Sequence, residues 1–327
     1  MLHSRPSWQR FLSMEIAITG GMGFIGRALA LRHLAAGDTV RVLSRRNRTG
    51  FPDAVRLYSG DLASADNSAL LSQFVDCADV MYHCAGEITH ASRMRSLHVD
   101  GTSRLIRAAS GRIGHWVQLS SVGAYGPYRS GVVTEETPVR PAGAYETSKA
   151  DSDQAVQQAS ERGAFSCTIL RPSIVFGPRM TNHSLRQMAA MIDHGLFFFI
   201  GPKGASANYI VLDNVIEALV RCGRMAAAKG RVYNVSDHRA IEEFAAAMAD
   251  ALGKPCPRLR VPEGLARLAA GTLGKLPGFP LTESRVAALT TRAVYPATRI
   301  ERELGYTHTV TMGDALSLLV GSWKPPA

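Results

Sequence analysis

Long hydrophobic runs are missing from this chain of 327 residues. The longest uninterrupted apolar run near its middle, Leu196 to Ile200, is far shorter than the ~20 residues that a membrane-spanning helix needs. Residues 1–13 also lack the apolar core of a secretory signal, so we interpret them as a disordered leader before a fold that begins at Met14. These absences exclude a transmembrane helix, and the chain contains no repeat or low-complexity tract.

Cysteine is scarce as well, and its distribution excludes two further classes of protein. The five cysteines are odd in number and scattered, without a CxxC pair or a histidine at metal-ligand spacing. They are Cys77, Cys84, Cys167, Cys222 and Cys256. This pattern argues against a disulfide framework and against a metal site, and it predicts free thiols in a reducing cytoplasm.

A block of like charges is the third absence, although the net charge is +10. Lys and Arg are spread along the chain, which favours a solvated basic surface over a nucleic-acid or membrane-binding patch. Some arginines are expected to meet an anionic cofactor or a phosphorylated substrate. With 46% hydrophobic and 20% charged residues, the chain suits a globular protein of one large domain or two closely packed ones.

What the chain does have is a glycine-rich stretch, TGGMGFIG, directly after the apolar run Ile16 to Ile18. A helical pattern follows, so the order is strand, tight turn and helix. Gly20 allows the sharp turn, Gly23 lets the backbone approach a pyrophosphate, and Gly26 lets the helix pack closely against the strand. The N-terminus of the helix offers free N–H groups to phosphates. The stretch therefore predicts a dinucleotide-binding turn.

The second predicted strand, Thr39 to Leu43, ends in Ser44 and Arg45. In a dinucleotide fold this strand end meets the adenosine ribose, where an acidic residue binds the 2′-hydroxyl and a basic residue neutralises a 2′-phosphate. The acid is absent, whereas Ser44 can donate a hydrogen bond and Arg45 can pair a phosphate. The sequence therefore predicts a preference for NADP over NAD.

Further strands alternate with helices: Val55 to Tyr58, Asp79 to His83 and His115 to Leu119 are the strands. This alternation predicts a doubly wound parallel sheet with helices on both faces. Asp61, at one strand end, can bind an adenine amino group or cap the loop that follows. Ala85 lies among small residues at another strand end, where the backbone can lie against the cofactor.

Tyr145 and Lys149 lie four residues apart, hence on one face of a predicted helix that continues through Gln158. An ammonium near a phenol lowers its pKa, which lets the phenol exchange a proton with a substrate hydroxyl or carbonyl. Ser121 follows a strand and can hold the same oxygen by a hydrogen bond. The three residues predict an acid–base site for chemistry at a C–O group.

Together these segments resemble the extended short-chain dehydrogenase/reductase family, which includes nucleotide-sugar epimerases and dehydratases, 4-keto reductases and 3β-hydroxysteroid dehydrogenases. The resemblance covers Glu15 to about Trp323. The matching segments are TGGMGFIG for the family's TGxxGxxG, YETSK for YxxxK, LSSVGAYG for the strand that carries its serine or threonine, HVDGT for NVxGT, LRPSIVFGP for LRPxxVYGP and YIVLDNV for FVHVDDV.

The resemblance implies a role for each matching residue. Tyr145 is the expected acid/base, Lys149 the group that lowers its pKa and binds the nicotinamide ribose, and Ser121 the residue that polarises the C–O group. The expected cofactor residues are Gly20, Gly23, Phe24, Ile25, Gly26, Ser44, Arg45, Asp61, Leu62, Ala85, Tyr145 and Lys149, with Phe24 and Ile25 supplying backbone donors. His98 stands where asparagine is usual, and an imidazole is not expected to copy both the donor and the acceptor of an amide.

The same resemblance narrows the reaction. Dehydratases of the family carry two carboxylates after the first serine or threonine, where this chain has Val122 and Gly123. The epimerase-reductases carry a cysteine at the position of Val122. The reaction that remains is hydride transfer without elimination of water, carried out by a nucleotide-sugar 4-keto reductase or dehydrogenase or by a 4-epimerase. Ser44 and Arg45 favour net reduction, because they predict NADP as the cofactor. Further alternatives are a 3β-hydroxysteroid-type dehydrogenase and a non-catalytic dinucleotide sensor.

Ligands of such folds bind beyond the carboxyl ends of the strands, so the chain after Gly177 is expected to hold the substrate. Arg179, Asn182 and Lys203 are the candidate ligands of a nucleotide-sugar diphosphate and uracil. The run Phe197 to Phe199 suits a steroid ring or, more simply, the core.

We expect two domains. Residues 14–176 and 208–236 form the NAD(P)-binding domain, and residues 177–207 and 237–327 form the substrate-binding domain. A homodimer through the helix of Tyr145 is the expectation for the family.

Overall fold

The structure, a computed structural model, describes residues 13–45, 50–180, 184–273 and 281–323. Its strands are β1 (Glu15–Thr19), β2 (Thr39–Ser44), β3 (Arg56–Ser59), β4 (Ala78–His83), β5 (Ile113–Leu119), β6 (Ser130–Val132), β7 (Ser166–Pro172), β8 (Ile174–Phe176), β9 (Phe199–Ile200), β10 (Ser206–Val211), β11 (Arg231–Val235), β12 (Asp237–Ala240), β13 (Arg260–Val261) and β14 (Arg292–Val294). Its α-helices are α1 (Phe24–Ala35), α2 (Ser68–Val75), α3 (Ala91–Arg95), α4 (Thr102–Ala109), α5 (Ala144–Glu161), α6 (Ser184–Asp193), α7 (Leu212–Arg224), α8 (Ile241–Leu252), α9 (Glu263–Leu273), α10 (Glu283–Thr290), α11 (Thr298–Leu304) and α12 (Met312–Gly321).

Seven parallel strands form the central sheet in the order β11-β7-β5-β4-β1-β2-β3. Parallel strands need crossovers, and the helices of those crossovers cover both faces, so the central strands are buried on both sides. The burial of β1, β2 and β5 follows this rule. The predicted doubly wound α/β fold is confirmed, and the order reverses at β1, where the carboxyl ends of β1 and β4 open a crevice.

One predicted helix is interrupted. The sequence predicts a single helix from about Arg93 to Ser110, whereas the structure places a π-helical turn, Ser96–Gly101, between α3 and α4. A π turn widens the helix locally and is frequent at functional sites. His98 lies in this turn and is buried against α5.

Shorter strands and the later helices pack beside the central sheet. The small sheets have the orders β12-β10-β8, β13-β9 and β14-β6. A hydrophobic cluster here includes Phe176, Phe197, Phe199, Phe244 and Leu316. Phe197 and Phe199 are 6% and 5% exposed, so both belong to the core, as the simpler interpretation of this aromatic run predicts.

Two observations concern the absences noted in the sequence. All five cysteines are free thiols in the structure. Within the described ranges, every helix is too short or too polar to span a bilayer.

Candidate active site

A cavity of about 590 Å³ lies at the carboxyl ends of β1, β2 and β4. Eight of the predicted cofactor residues line it: Gly20, Gly23, Phe24, Ser44, Arg45, Asp61, Leu62 and Ala85. Other lining residues were not predicted as site residues, among them Arg27, Cys84, Gly86, Leu97, Pro178 and Leu212. Pro178 and Leu212 follow β8 and β10, so this side of the cavity comes from distant parts of the chain.

The glycines of the turn are required by close backbone approaches. Gly20 has φ +66°, and a Cβ there would lie 2.7 Å from the Cα of Ala85. A Cβ on Gly26 would lie 2.4 Å from the carbonyl oxygen of Gly20. Gly26 does not line the cavity but fits α1 against the turn, which is the packing role predicted for the third glycine.

The N-terminus of α1 begins beside this turn. Gly23 is its N-cap, with no side-chain cap and no acidic residue in the first turn of the helix. The first N–H groups of a helix lack intrahelical partners and attract anions. Phe24 and Ile25 lie in this first turn, although only Phe24 lines the cavity.

Two arginines line the cavity near the end of β2, where adenosine is expected. Ser44 and Arg45 line it at the end of β2, as predicted. Arg27 joins them from α1, where its guanidinium donates to the carbonyl oxygen of Gly50 at 2.6 Å and lies 4.8 Å from the ring centre of Phe51. Arg27 directly follows Gly26, the third glycine of the turn, and this position was the sequence signal that could have identified it as a cavity residue.

Asp61 lines the cavity and also caps the loop that follows β3. Its Oδ1 accepts a hydrogen bond from the N–H of Ala63 at 3.0 Å, and Oδ2 lies 3.7 Å from the guanidinium of Arg93. Oδ1 of Asp61 therefore caps the loop, and Asp61 also lines the part of the cavity that is expected to bind adenine.

Ser121, Tyr145, Lys149, His98 and Ser148 make up what we term the catalytic corner. Tyr145 and Lys149 lie on α5, which packs against the 3₁₀ turn Val122–Tyr125 that follows Ser121. Ser121 Oγ accepts from the N–H of Gly123 at 3.1 Å, and Lys149 Nζ donates to the carbonyl oxygen of Leu119. The three predicted catalytic residues thus lie on neighbouring elements at the carboxyl edge of the sheet.

The pKa of Tyr145 does not follow the prediction from the Tyr–Lys pair. Burial raises the pKa of Tyr145 to about 12, and the charges of Glu146 and Asp153 act in the same direction. Burial also lowers the pKa of Lys149. Desolvation of the phenol, together with the charges of Glu146 and Asp153, therefore sets the direction of this pKa shift.

His98 corrects another expectation. Its Nε2 accepts from the N–H of Glu87 at 2.8 Å, so Nδ1 carries the proton and donates to Ser148 Oγ at 2.8 Å. Ser148 Oγ in turn donates to the carbonyl oxygen of Tyr145 at 2.9 Å. A neutral imidazole does supply one donor and one acceptor, and burial keeps it neutral by lowering its pKa to about 4.

The predicted substrate residues lie in different places. Arg179 lines the cavity and adopts φ +71°, a conformation uncommon for a residue with a side chain. Lys203 does not line the cavity, and its carbonyl oxygen accepts from Arg292 at 2.9 Å. Asn182 lies outside the described residues. The structure therefore brings only Arg179 to the cavity.

The residues present fit a nicotinamide dinucleotide. A side chain on Gly20 would collide with the backbone of Cys84 and Ala85, and one on Gly26 with the backbone of the turn. The helix N-terminus has no side-chain cap, and Arg27 and Arg45 line the cavity. The cavity extends along the carboxyl edge of the sheet to Gly86. The next residue, Glu87, donates its backbone N–H to His98 of the catalytic corner. Fold and cavity thus define a dinucleotide-binding protein, and Ser121, Tyr145 and Lys149 lie outside the lining of this cavity.

The chain belongs to the NAD-dependent epimerase/dehydratase family, whose model matches residues 16–236. It is an enzyme of the extended short-chain dehydrogenase/reductase type, in a nucleotide-sugar epimerase and dehydratase family, and its cofactor is NAD or NADP.

Two curated relatives and one solved structure illustrate the match. The UDP-glucose 4-epimerase of Mycolicibacterium smegmatis is 27% identical over 74% of this chain and 84% of its own length. The dTDP-6-deoxy-L-talose 4-dehydrogenase (NAD(P)(+)) of Kitasatospora kifunensis is 33% identical over 55% of this chain and 58% of its own. The structure of UDP-glucuronic acid 4-epimerase from Bacillus cereus in complex with NAD superposes with a TM-score of 0.73 and 18% identity, covering 94% of this chain and 98% of that one.

Proposed function

We propose that this enzyme transfers a hydride to or from one carbinol or ketone carbon of a nucleotide sugar, as a 4-keto reductase or dehydrogenase. The observation that carries the proposal is the catalytic corner, in which the turn after Ser121 packs against the first turns of α5 with Tyr145 and Lys149. Relatives that act on nucleotide sugars, one of them a 4-dehydrogenase, support the substrate class.

In the reduction direction, Ser121 Oγ and the phenol of Tyr145 donate hydrogen bonds to the ketone oxygen. The hydride for the carbon would come from a bound reduced nicotinamide, and Tyr145 would give its proton to the oxygen. Burial raises the pKa of Tyr145 to about 12, so the phenol carries its proton at neutral pH, as an unperturbed phenol also does. Lys149, one turn further along α5, would stabilise the phenolate that forms when this proton is given up.

The proposed cofactor preference is NADP. Ser44 and Arg45 line the cavity at the end of β2, where the 2′-phosphate of NADP is expected. An Arg–phosphate pair is charge-assisted and typically contributes about 1.5 to 3 kcal/mol. Arg45→Ala should weaken NADPH binding about tenfold to hundredfold while NADH binding changes little. Fluorescence titration of both cofactors tests this, with Arg107→Ala on α4 as the control; equal affinities in the parent enzyme would contradict the preference.

Arg179 is the proposed ligand of the substrate diphosphate, since it lies at the cavity and makes no hydrogen bond or ion pair with other described residues. Lys203 and Asn182 remain weaker candidates for contacts with the nucleotide. The second candidate reaction is 4-epimerisation, favoured by the likeness to the M. smegmatis epimerase over most of both chains. The 3β-hydroxysteroid and non-catalytic alternatives have the same fold but no specific contact in their favour.

The test is to incubate the enzyme and NADPH with UDP-4-keto sugars, UDP-hexoses and 3-ketosteroids. Nicotinamide absorbance is followed while products are separated by chromatography. Net oxidation of NADPH by a keto sugar supports the reductase. Exchange of isomers without net absorbance change identifies the epimerase, and a 4-keto-6-deoxy product from a UDP-hexose identifies a dehydratase. Silence across the panel would overturn an enzymatic role on these substrates.

Localisation and assembly are part of the proposal. The free cysteines are consistent with a reducing cytoplasm, where nucleotide sugars are made. A homodimer through α5 is the proposed assembly. Sedimentation equilibrium of the purified enzyme, with a charged substitution on the exposed face of α5 such as Gln154→Glu, tests it.

A further inference from the structure

Glu146 lies in a slot that two glycines leave open beside the catalytic corner. A Cβ on Gly123 would lie 3.1 Å from Glu146 Cγ, and a Cβ on Gly143 would lie 2.7 Å from Glu146 Oε2. The side chain of Glu146 thus takes the space that a side chain at either position would fill. The slot fixes the carboxylate at the start of α5, one residue after Tyr145.

The carboxylate also lies near the hydroxyl of Ser121. The position that a Cβ on Gly123 would take is 3.4 Å from Ser121 Oγ and 3.9 Å from Glu146 Oε1. Both groups therefore border the same small volume. The charge of Glu146 acts on Tyr145 as well, since it contributes to the raised pKa of that phenol. Glu146 consequently adjoins both residues that hold the reacting oxygen.

Glu146 has no hydrogen-bond or ion-pair partner among the described residues, unlike the buried carboxylate of Asp153 on the same helix. Asp153 accepts from Ser120 at 2.6 Å and pairs with Arg171 at 3.2 Å. Glu146 is only half-buried, so its side chain is open to solvent and to a ligand. A carboxylate in this state accepts hydrogen bonds from hydroxyl or N–H donors and repels anions.

We propose that Glu146 is a specificity-determining residue that accepts a hydrogen bond from a hydroxyl or amide N–H beside the reacting carbon of the substrate. The proposal rests on the proposed nucleotide-sugar function and narrows it to a neutral sugar. A sugar with a carboxylate at the neighbouring position places two negative charges together. A ketosteroid offers no donor there, so the carboxylate would lose its water without a replacement.

The test compares Glu146→Gln with Glu243→Gln, which removes the same charge from an exposed position in the first turn of α8. The first measurement is kcat/KM for reduction of UDP-4-keto-6-deoxyglucose by NADPH. The second is inhibition of that reaction by UDP-glucose and by UDP-glucuronic acid. We expect UDP-glucuronic acid to inhibit the parent enzyme at least about tenfold more weakly than UDP-glucose.

Glu146→Gln should bring the two inhibition constants within about threefold. It should lower kcat/KM for the neutral keto sugar only about threefold to tenfold, because Gln keeps an acceptor oxygen but loses the charge. Glu243→Gln should leave both measurements unchanged. Gly123→Ala is a second variant, because its Cβ would lie 3.1 Å from Glu146 Cγ and shift that side chain slightly, and it should change the ratio of inhibition constants in the same direction by a smaller factor.

Two negative outcomes have different meanings. If the parent enzyme reduces the keto sugar but Glu146→Gln leaves the inhibition ratio unchanged, the role of Glu146 is wrong and the proposed function stands. If the parent enzyme neither reduces nor binds any UDP-sugar of the set, the proposed function fails and the assignment of Glu146 to a neutral sugar fails with it.

Discussion

The glycine turn beside the dinucleotide cavity is shaped by close approaches of backbone atoms, whereas the catalytic corner is held by hydrogen bonds that its side chains make with one another and with the backbone. At the turn, Gly20 and Gly26 bring backbone atoms so close that a Cβ would collide with them. At the corner, a chain of hydrogen bonds joins His98, Ser148 and the carbonyl oxygen of Tyr145. The difference teaches that substitutions at the cavity act through shape, while those at the corner act through protons and hydrogen-bond direction.

The largest effect on activity is expected from substitution of Tyr145, which should abolish proton transfer and leave the structure of the site unchanged. Tyr145→Phe removes the proton that the ketone oxygen receives and should lower kcat about a thousandfold, within the range for general acid catalysis. Cofactor binding, followed by fluorescence, should change less than about threefold. Tyr128→Phe, on a partly buried tyrosine near the site turn, is the matched control. Retained turnover would assign the proton transfer to another group.

An acid-dependent loss of stability should follow from His98. Its pKa is about 4 in the folded protein and near 6.5 in the unfolded chain, so the unfolded chain binds the extra proton first. Stability is therefore unaffected by His98 above about pH 6.5 and is lost as the pH falls towards 4, by about 2 to 3 kcal/mol. His98→Asn should remove that share of the loss in urea unfolding measured at pH 7 and pH 4.5.

His238→Asn, at an exposed position on β12, should leave the pH dependence of unfolding as it is in the parent. His115 is also buried with a pKa of about 4, so part of the acid sensitivity should persist in His98→Asn. If His98→Asn and His238→Asn lose stability equally on acidification, burial does not hold His98 neutral in the folded protein.

The smallest effect is expected from substitution of Gly26, which changes only the packing of α1 against the glycine turn. Gly26→Ala places a Cβ 2.4 Å from the carbonyl oxygen of Gly20, and overpacking of this kind costs about 1 to 3 kcal/mol. Gly264→Ala, in α9 with open space around it, should instead be neutral or slightly stabilising. Thermal unfolding and cofactor titration of both variants measure the difference. Equal behaviour would show that α1 adjusts to the added methyl group.

Patterns local in the chain account for what the sequence predicted well. The glycine spacing of the turn and the four-residue spacing of Tyr145 and Lys149 are set by neighbours along the chain, and the structure places each on the expected element. The alternation of strands and helices likewise predicts the doubly wound sheet. These features need no knowledge of which distant segments meet.

Contacts between distant segments account for what the sequence did not predict. The residues at positions 122 and 123 lack the carboxylates that dehydratases carry there, which suggested that this side of the site has no carboxylate. In the structure, the Glu146 side chain fills the space beside Gly123. The pKa of Tyr145 rises instead of falling, because desolvation depends on the packing of the whole site. The π turn that contains His98 is also invisible in the hydrophobic pattern, and it packs against α5, a distant part of the chain.

The last strand of the central sheet also governs how the chain folds during synthesis. β11 pairs with β7, yet β8, β9, β10 and α7 lie between them in the chain, so the sheet edge closes only after that stretch has left the ribosome. Pairing between distant segments is slow because loop closure costs entropy first. A nascent chain stalled before Arg231 therefore exposes the unpaired edge of β7, which is a surface prone to aggregation and open to chaperones.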